Sequence, residues 1–386
     1  MKSFSSICEK VPRSAIRKMF AMADKIEDPI SFAIGEPDFT TPSHIIDAAN
    51  RALSSGETHY TPNIGILPLR QAIADYRNAM GLGYDPSNEI MITAGGMEAL
   101  YLSLLVLLNP GDEVLLSNPG WTNYYGQILM CRAIPKRVPA YESEGFIVTP
   151  EDLKKAITPK TKLLILNSPS NPTGGVATPE RLEAIAKLCV EEDLYVLSDE
   201  VYHRLLYADA PFASIASFPG MKERTVIIDS FSKTYAMTGW RVGMALGPES
   251  ILSMMVKFQE NVAACVNTAA QFGALEALCG AQDCVEEMLQ TYAQRRKVLV
   301  EGLNSIPHLT CIEPKGAFYA FPNITATGLT SEEFAMQLLQ STGVITVPGT
   351  GFGSAGEGFV RLSYATSTEN ILRGLERMEK FVLSLG

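Results

Sequence analysis

Short apolar runs alternate with longer amphipathic stretches through the middle of the chain. The apolar runs predict buried strands at 90–93, 114–116, 163–166, 195–197 and 226–228. Strands that are apolar throughout, with helices between them, are typical of a mostly parallel sheet that is covered on both faces. The pattern therefore predicts an α/β fold with three layers and a mostly parallel central sheet.

Helix signals lie between these strands. Gly95 and Gly96 separate the first strand from a Leu- and Ala-rich stretch at 97–108, which predicts a strand, a glycine turn and a helix. Further along, Thr178 is placed to cap a helix whose first turn holds Pro179. These signals set the order of elements around the predicted sheet.

The pattern changes after residue 280. An apolar stripe from Val285 to Leu303 predicts one long helix that leads into a second, smaller α+β domain. This domain has predicted strands at 318–321, 344–347 and 359–364, and capping boxes that pair Thr330 with Glu333 and Thr366 with Glu369. We expect a segment 1–45 that packs with the small domain, a large domain 46–285 and a small domain 286–386.

Composition narrows the possible functions. The formal charge is −10 and basic tracts are absent from the sequence, which argues against binding nucleic acid or anionic lipid. The amino end lacks a long apolar run, and residues 100–108 are half a membrane span, so we expect a cytoplasmic protein. The scattered cysteines are expected to be reduced, and the spacing of the four histidines is unlike that of a zinc site.

Ligands bind open parallel sheets at the carboxyl ends of the strands, so the residues that follow each strand are the candidate site. They comprise glycine amides for a phosphate, an indole, an amide, a carboxylate with a phenol, and hydroxyls with two cations: Gly95, Gly96, Trp121, Asn171, Asp199, Tyr202, Ser230, Ser232, Lys233 and Arg241. Each alone is also typical of a turn, a core side chain, a salt bridge or a solvated lysine. Together they match pyridoxal phosphate, which needs a lysine, an acid at the ring nitrogen, a donor to the ring hydroxyl and a phosphate cup.

Short motifs along nearly the whole chain carry a family resemblance. They are GEPDF, YTPNIG, SPSNPTG, SDEVY, SKTYAMTGWRVG, KGAFY and VRLSYA. With them the chain resembles the fold-type I, class I and II pyridoxal-phosphate aminotransferases, and within these the prokaryotic aspartate and aromatic branch. The resemblance implies an enzyme that moves an amino group between an L-amino acid and a 2-oxo acid such as 2-oxoglutarate.

The resemblance also implies roles for individual residues. Lys233 is similar to the lysine that bonds the cofactor and moves the substrate proton, and Asp199 to the acid at the pyridine nitrogen. Asn171 and Tyr202 would bind the ring hydroxyl, and Trp121 would stack on the ring. The phosphate cup would consist of Gly95, Gly96, Met97, Ser230, Ser232 and Arg241, with Tyr60 entering from the other subunit of a homodimer. Arg361 would hold the substrate carboxylate, with Gly35, Trp121 and Asn171 beside it.

Three competing interpretations weigh less. Ser230 and Lys233 form an SxxK motif, as in serine acyl hydrolases, but SDN and KTG motifs are missing. The GFGSAG stretch at 351–356 matches a dinucleotide fingerprint, yet a predicted strand follows it in place of a helix. A non-catalytic, pyridoxal-phosphate-binding regulator would need a nucleic-acid module, which neither terminus offers.

The preferred amino donor is the open question. We expect an aromatic or broad range first, aspartate second and alanine third. Ile16, Met19, Asn123 and Cys265 are the candidates for the side-chain pocket, and they rest on the resemblance.

Overall fold

The computed structural model describes residues 2–12, 26–207 and 210–385. Its largest sheet has seven strands in the order β2-β8-β7-β6-β5-β3-β4. These strands are β2 (Ile90–Thr93), β3 (Glu113–Asn118), β4 (Ile134–Pro139), β5 (Thr161–Asn167), β6 (Tyr195–Asp199), β7 (Thr225–Ser230) and β8 (Gly243–Leu246), after a short β1 (Ile30–Ser31) that lies elsewhere. All five strands expected from the apolar runs are present, and the prediction of an α/β fold with a mostly parallel central sheet is confirmed.

Two strands of this sheet were missed. Strand β4 contains Pro135 and Pro139 and lies at the sheet edge, where it pairs with β3 alone and proline is tolerated. Strand β8 runs antiparallel between β2 and β7 and begins at Gly243. Only a short 3₁₀ turn at Thr238–Trp240 separates it from the polar Lys233 segment, so the alternation of strands and long helices does not predict it.

Helices surround the large sheet and make up much of the remaining described structure. They are α1 (Ser43–Ser54), α2 (Leu67–Asn78), α3 (Gly96–Leu107), α4 (Thr122–Met130), α5 (Pro150–Ala156), α6 (Pro179–Glu191), α7 (Phe231–Thr234), α8 (Glu249–Val262), α9 (Thr268–Cys279), α10 (Asp283–Ser305), α11 (Ser331–Thr342) and α12 (Thr368–Leu383). The hydroxyl of Thr178 caps α6 as predicted, accepting from the Arg181 amide. No helix in the described ranges is long and apolar enough to cross a bilayer.

A smaller sheet lies beyond the long helix α10. Strands β9 (Tyr319–Ala320), β11 (Val347–Pro348) and β12 (Val360–Ser363) form it in the order β11-β12-β9. Strand β10 (Val344–Ile345) instead pairs in parallel with β1, near the amino end. The single strand predicted at 344–347 is therefore two strands, because its halves pair with different partners. The limits 1–45, 46–285 and 286–386 for the domains stay a prediction.

The two expected capping boxes have different outcomes. Thr330 and Glu333 form the reciprocal pair at the start of α11, as predicted. The box between Thr366 and Glu369 is wrong by one residue, because the extended backbone of Ser367 lets its hydroxyl accept from the Asn370 amide. Helix α12 consequently begins one position later than the motif indicates.

Candidate active site

A cavity of about 250 Å³ lies where the ends of the central strands meet the smaller sheet. Residues from β6, β7, α3, α7 and β12 line it together with the loop at Gly35. The structure brings together these sequence-predicted residues: Gly35, Gly96, Met97, Trp121, Asn171, Asp199, Tyr202, Ser230, Ser232, Lys233, Arg241 and Arg361. The strand-end rule therefore locates the cavity correctly.

Lys233 lies on the short helix α7, directly after β7. Its Nζ donates to the carbonyl oxygen of Gly35 at 2.7 Å and lies 5.9 Å from the ring centre of Phe318. Burial lowers the pKa of Lys233 to about 8, a shift that the nearby Glu36 partly opposes. An amine with this pKa is partly uncharged near neutral pH, as a nucleophile and a general base require.

Asp199 ends β6 and is buried. Its carboxylate accepts from the Tyr124 hydroxyl at 2.5 Å and from the Val201 amide at 3.3 Å. Burial raises the pKa of Asp199 to about 6, although the bond from Tyr124 opposes the shift. Both partners are neutral, and a buried carboxylate is stable as an anion when a cation compensates it. A protonated pyridine nitrogen fits this requirement.

Two tyrosines were missed by the sequence reasoning. Tyr124 lies one helical turn beyond Trp121 on α4 and holds Asp199. Tyr319, the last residue of the KGAFY motif, places its hydroxyl 2.8 Å from that of Tyr202. The motif could have suggested Tyr319, whereas a tyrosine within a helix carries no signal that would have suggested Tyr124.

A cup of hydrogen-bond donors lies beside Lys233. The amino end of α3 begins at Gly96, and the hydroxyls of Ser230 and Ser232 are 2.8 Å apart. The Arg241 guanidinium donates to the carbonyl oxygens of Thr238 and Ala94, and no carboxylate pairs with it among the described residues. Gly95 has φ +76, and a Cβ there would collide with Arg241. Free amides, hydroxyls and an unneutralised guanidinium fit a phosphate group.

Arg361 lies on β12 at the opposite wall, with 1% of its surface exposed. It donates to Asn171 Oδ1 at 3.0 Å and to the Ala33 carbonyl oxygen, and it lies between the rings of Tyr319 and Phe352. Its buried Nε has no hydrogen-bond partner. Because a guanidinium has five N–H donors in a planar fork, the remaining donors fit a carboxylate.

Trp121 lines the cavity, whereas Asn123 and Cys265, expected in the side-chain pocket, do not. Trp121 packs edge-on against Tyr124 with ring centres 5.1 Å apart. The amide of Asn123 donates to Met97 Sδ, and Cys265 is half-buried and does not line the cavity. Ile16 and Met19 lie outside the described residues.

Tyr60 does not reach the cavity of its own chain, and 89% of its surface is exposed. A second, larger cavity of about 1140 Å³ adjoins the first at Met97 and is lined by Ala94, Glu98, Tyr101 and other residues. We refer to this second cavity as the outer groove. It opens beside the phosphate cup.

The competing sequence interpretations find no support in the geometry. The Ser230 hydroxyl oxygen lies 2.8 Å from Ser232 Oγ and 3.1 Å from the Val242 carbonyl oxygen, whereas Lys233 contacts Gly35. A serine nucleophile would need its base within hydrogen-bond reach. The GFGSAG stretch forms short 3₁₀ turns followed by β12, so it lacks the helix of a dinucleotide site.

Several known proteins similar to this chain are aminotransferases. The family model described as "Aminotransferase class I and II" matches residues 27–378. The chain is 45% identical to "Aromatic-amino-acid aminotransferase 2" of Thermococcus litoralis and 46% identical to an "Aspartate aminotransferase" of Pyrococcus abyssi, each match covering 98% of both chains. The crystal structure of an aromatic aminotransferase from Pyrococcus horikoshii superposes with a TM-score of 0.91 at 45% identity, over 96% of this chain and 99% of that one.

Proposed function

The chain belongs to the class I and II aminotransferase family and is an aminotransferase, and on that premise we propose that its cavity binds pyridoxal phosphate and an amino acid. The family is generally dependent on pyridoxal phosphate. One observation carries the proposal: a single cavity is lined by a lysine amine of lowered pKa, a buried carboxylate and a buried guanidinium. When bound, the cofactor supplies an electrophilic carbonyl carbon and a ring that accepts electrons.

The residues at the strand ends would hold the cofactor. Asp199 would keep a proton on the ring nitrogen, because only the protonated ring compensates its buried charge. Asn171 and Tyr202 line the same cavity and would contact the ring hydroxyl. The cup formed by α3, the two serines and Arg241 would bind the phosphate.

Lys233 would hold the cofactor through its amine and would also act as the general base that takes the proton from the substrate α-carbon. Its lowered pKa leaves a useful fraction of free base near neutral pH. Arg361 would hold the α-carboxylate from the opposite wall with its unused donors. The substrate would then lie between the large sheet and the small one.

The positions of the cations that line the cavity favour amino-acid substrates with aromatic or apolar side chains. Its described lining contains three cations, Lys233, Arg241 and Arg361, and each already has a role above. Several of the remaining lining residues are aromatic or aliphatic, namely Trp121, Tyr124, Val201, Tyr202, Ile228 and Tyr319. A distal carboxylate would therefore lack a cation within this cavity.

One observation favours aspartate as the second candidate. Arg137 lines the outer groove, stacks on Tyr125 at 4.8 Å and makes no ion pair within the described part of the chain. Desolvation lowers its pKa, which a carboxylate ligand would reverse. If aspartate is the substrate, Arg137→Gln should reduce kcat/KM for aspartate and leave that for tyrosine unchanged.

Reduction of the purified holoenzyme tests the central assignment. We expect borohydride to bleach the cofactor absorbance and to leave a pyridoxyl label on the peptide that contains Lys233. Lys233→Ala should still bind pyridoxal phosphate through the cup and lose transamination by several orders of magnitude. A label on another lysine, or an active Lys233→Ala variant, would contradict the assignment.

The exposed Tyr60 supports a homodimer in which each chain completes the other's site. The outer groove offers a path for Tyr60 of the partner subunit to the phosphate cup. Subunit complementation tests this idea with Tyr60→Ala and Lys233→Ala, which impair different parts of one shared site. A hybrid dimer has one site with both native residues, so random mixing should restore roughly a quarter of the wild-type activity. Activity no higher than the sum of the two unmixed variants would show that Tyr60 does not act across an interface.

A further inference from the structure

A buried ionic cluster lies outside the cavity, under the ends of two central strands. Arg77, on α2, has none of its surface exposed. Its Nη1 lies 2.8 Å from Glu200 Oε2, and its Nη2 contacts the carboxylate of Asp229. The charges of Asp229 and Glu200 outweigh the effect of burial and raise the pKa of Arg77. The guanidinium therefore stays charged and bridges two acids.

The positions of these acids connect the cluster to the site. Glu200 directly follows Asp199, and Asp229 directly precedes Ser230. Strands β6 and β7 are parallel neighbours, and the amide of Glu200 donates to the Ile228 carbonyl oxygen at 2.9 Å. One side chain thus ties together the strand ends that carry the ring-nitrogen acid and the phosphate cup.

The remaining partners make the bridge rigid. The hydroxyls of Ser198 and Ser214 donate to Glu200 Oε1 at 2.9 and 2.6 Å. Asp229 Oδ1 accepts from the Ser230 amide at 2.7 Å, while His203 Nδ1 lies 3.4 Å from Asp229 Oδ2. Both oxygens of each carboxylate are therefore used, whereas the buried Nε of Arg77 has no hydrogen-bond partner among the described residues.

We propose that Arg77 is a positioning residue of this aminotransferase, which sets the spacing between Asp199 and Ser230 by bridging Glu200 and Asp229. The inference rests on the proposed function, because Asp199 and Ser230 are taken to hold the cofactor. Arg77 itself lines no part of the cavity. Its effect passes through the strand ends, in the way that outer-shell residues orient the groups that bind a ligand.

The cluster also contributes to the charge at the site. The groups that act on Asp199 and Lys233 from the surrounding elements are Tyr124, Val201, Glu200, Asp229, Glu36, Arg241 and Arg361. Replacing Arg77 by methionine removes a positive charge and leaves two buried carboxylates. The added negative potential stabilises the protonated forms of the groups at the site. The pH midpoint, at which the absorbance change of the bound cofactor is half complete, should therefore rise.

Three variants separate positioning from general stability. Arg77→Met removes the charge and the fork, and Arg77→Lys keeps the charge and loses the fork. Arg296→Met is the matched control, since Arg296 pairs with Glu313 at 3.1 Å and does not line the cavity. Pyridoxal phosphate is titrated into each cofactor-free protein, with quenching of the combined fluorescence of Trp121 and Trp240 as the readout. Urea unfolding of each variant is recorded as well.

We expect both Arg77 variants to weaken the Kd for pyridoxal phosphate by about ten- to a hundredfold. The pH midpoint should rise in Arg77→Met and stay near the wild-type value in Arg77→Lys. Arg296→Met should unfold at lower urea and bind with the wild-type Kd.

A wild-type Kd in folded Arg77→Lys would overturn the proposal, even where Arg77→Met fails to fold. An unchanged pH midpoint in folded Arg77→Met would overturn it as well, because a purely structural role predicts no change. Failure of the wild-type protein to bind pyridoxal phosphate would instead refute the proposed function itself.

Discussion

Replacing Arg361 by lysine tests how the substrate is held. In the structure Nη1 is fixed by Asn171 Oδ1 at 3.0 Å and Nη2 by the Ala33 carbonyl oxygen, and the rings of Tyr319 and Phe352 lie 4.7 and 4.8 Å from the guanidinium carbon. These contacts leave Nε and further N–H groups for a carboxylate. A lysine ammonium offers a single point of contact and cannot stack as a plane.

The magnitude follows from the lost hydrogen bonds. A bidentate carboxylate would accept two charge-assisted bonds, each contributing about 1.5–3 kcal/mol, and lysine would keep one of them. Asn171 Oδ1 and the Ala33 carbonyl oxygen would also lose a buried donor. We therefore expect a loss of about 2–4 kcal/mol, or roughly 30- to 1000-fold in kcat/KM.

The assay compares amino donors with 2-oxoglutarate as the acceptor. Tyrosine, phenylalanine, alanine and aspartate should lose kcat/KM by similar factors in Arg361→Lys, because all share the α-carboxylate. The cofactor absorbance should stay unchanged. Arg296→Lys is the control, because native Arg296 stacks on Tyr207 outside the cavity. This variant should retain wild-type kinetics. A loss confined to aspartate would mean that Arg361 binds the side chain, and the reasoning would be refuted.

Three further predictions address the surroundings of the cofactor. In the cofactor-free protein the pKa of Asp199 is raised from 3.8 to about 6, so the native state binds this proton more tightly than the unfolded chain. The free energy of unfolding should then fall as pH rises from about 4 to about 6, and Asp199→Asn should remove that dependence in urea titrations. Tyr124→Phe deletes a hydrogen bond that lowers the pKa of Asp199. The affinity for pyridoxal phosphate at pH 7 should therefore weaken by about tenfold. An unchanged Kd would show that Tyr124 does not support Asp199 in binding the cofactor. Gly35→Ala brings a methyl group against the Tyr319 hydroxyl and should lower both kcat/KM and the unfolding temperature. In the control Gly83→Ala the new methyl group meets no atom within 4 Å, and neither quantity should change. Equal behaviour of the two variants would refute the steric argument.

Much of the active site could be predicted from the sequence, because the carboxyl ends of parallel strands lie at the same edge of a sheet. The apolar runs located the strands that end near Gly95, Asp199 and Ser230, and the residues that follow these strands line the cavity. This inference needs only the order of elements along the chain, and that order follows from hydrophobic periodicity. The assignment of Lys233 and Arg361 to particular roles drew on the family motifs and stays a prediction.

The predicted strands were wrong where the local hydrophobic pattern does not show which strand is the pairing partner. The stretch 344–347 is apolar except for the buried Thr346, yet its two ends pair with β1 and β12. The hydrophobic pattern does not record this change of partner. Strand β4 carries prolines that argue against a strand, and its place at the sheet edge removes the objection. The partner of a strand depends on the whole sheet.

Hydrophobic periodicity did not show which side chains from distant elements lie together in the site. Asn171 and Arg361, 190 positions apart, were expected together through the family resemblance, and they are hydrogen-bonded. Tyr124 and Asp199 are 75 positions apart, and only the tertiary structure revealed their hydrogen bond. In the sequence Arg77 is one polar residue of an amphipathic helix, and only the packing of α2 against β2 and α9 buries its charge between two acids. The sequence by itself determines five of the seven strands of the large sheet and the order of the strand-end residues, because these follow from short-range periodicity. The contacts between elements depend on long-range packing, which local patterns do not encode.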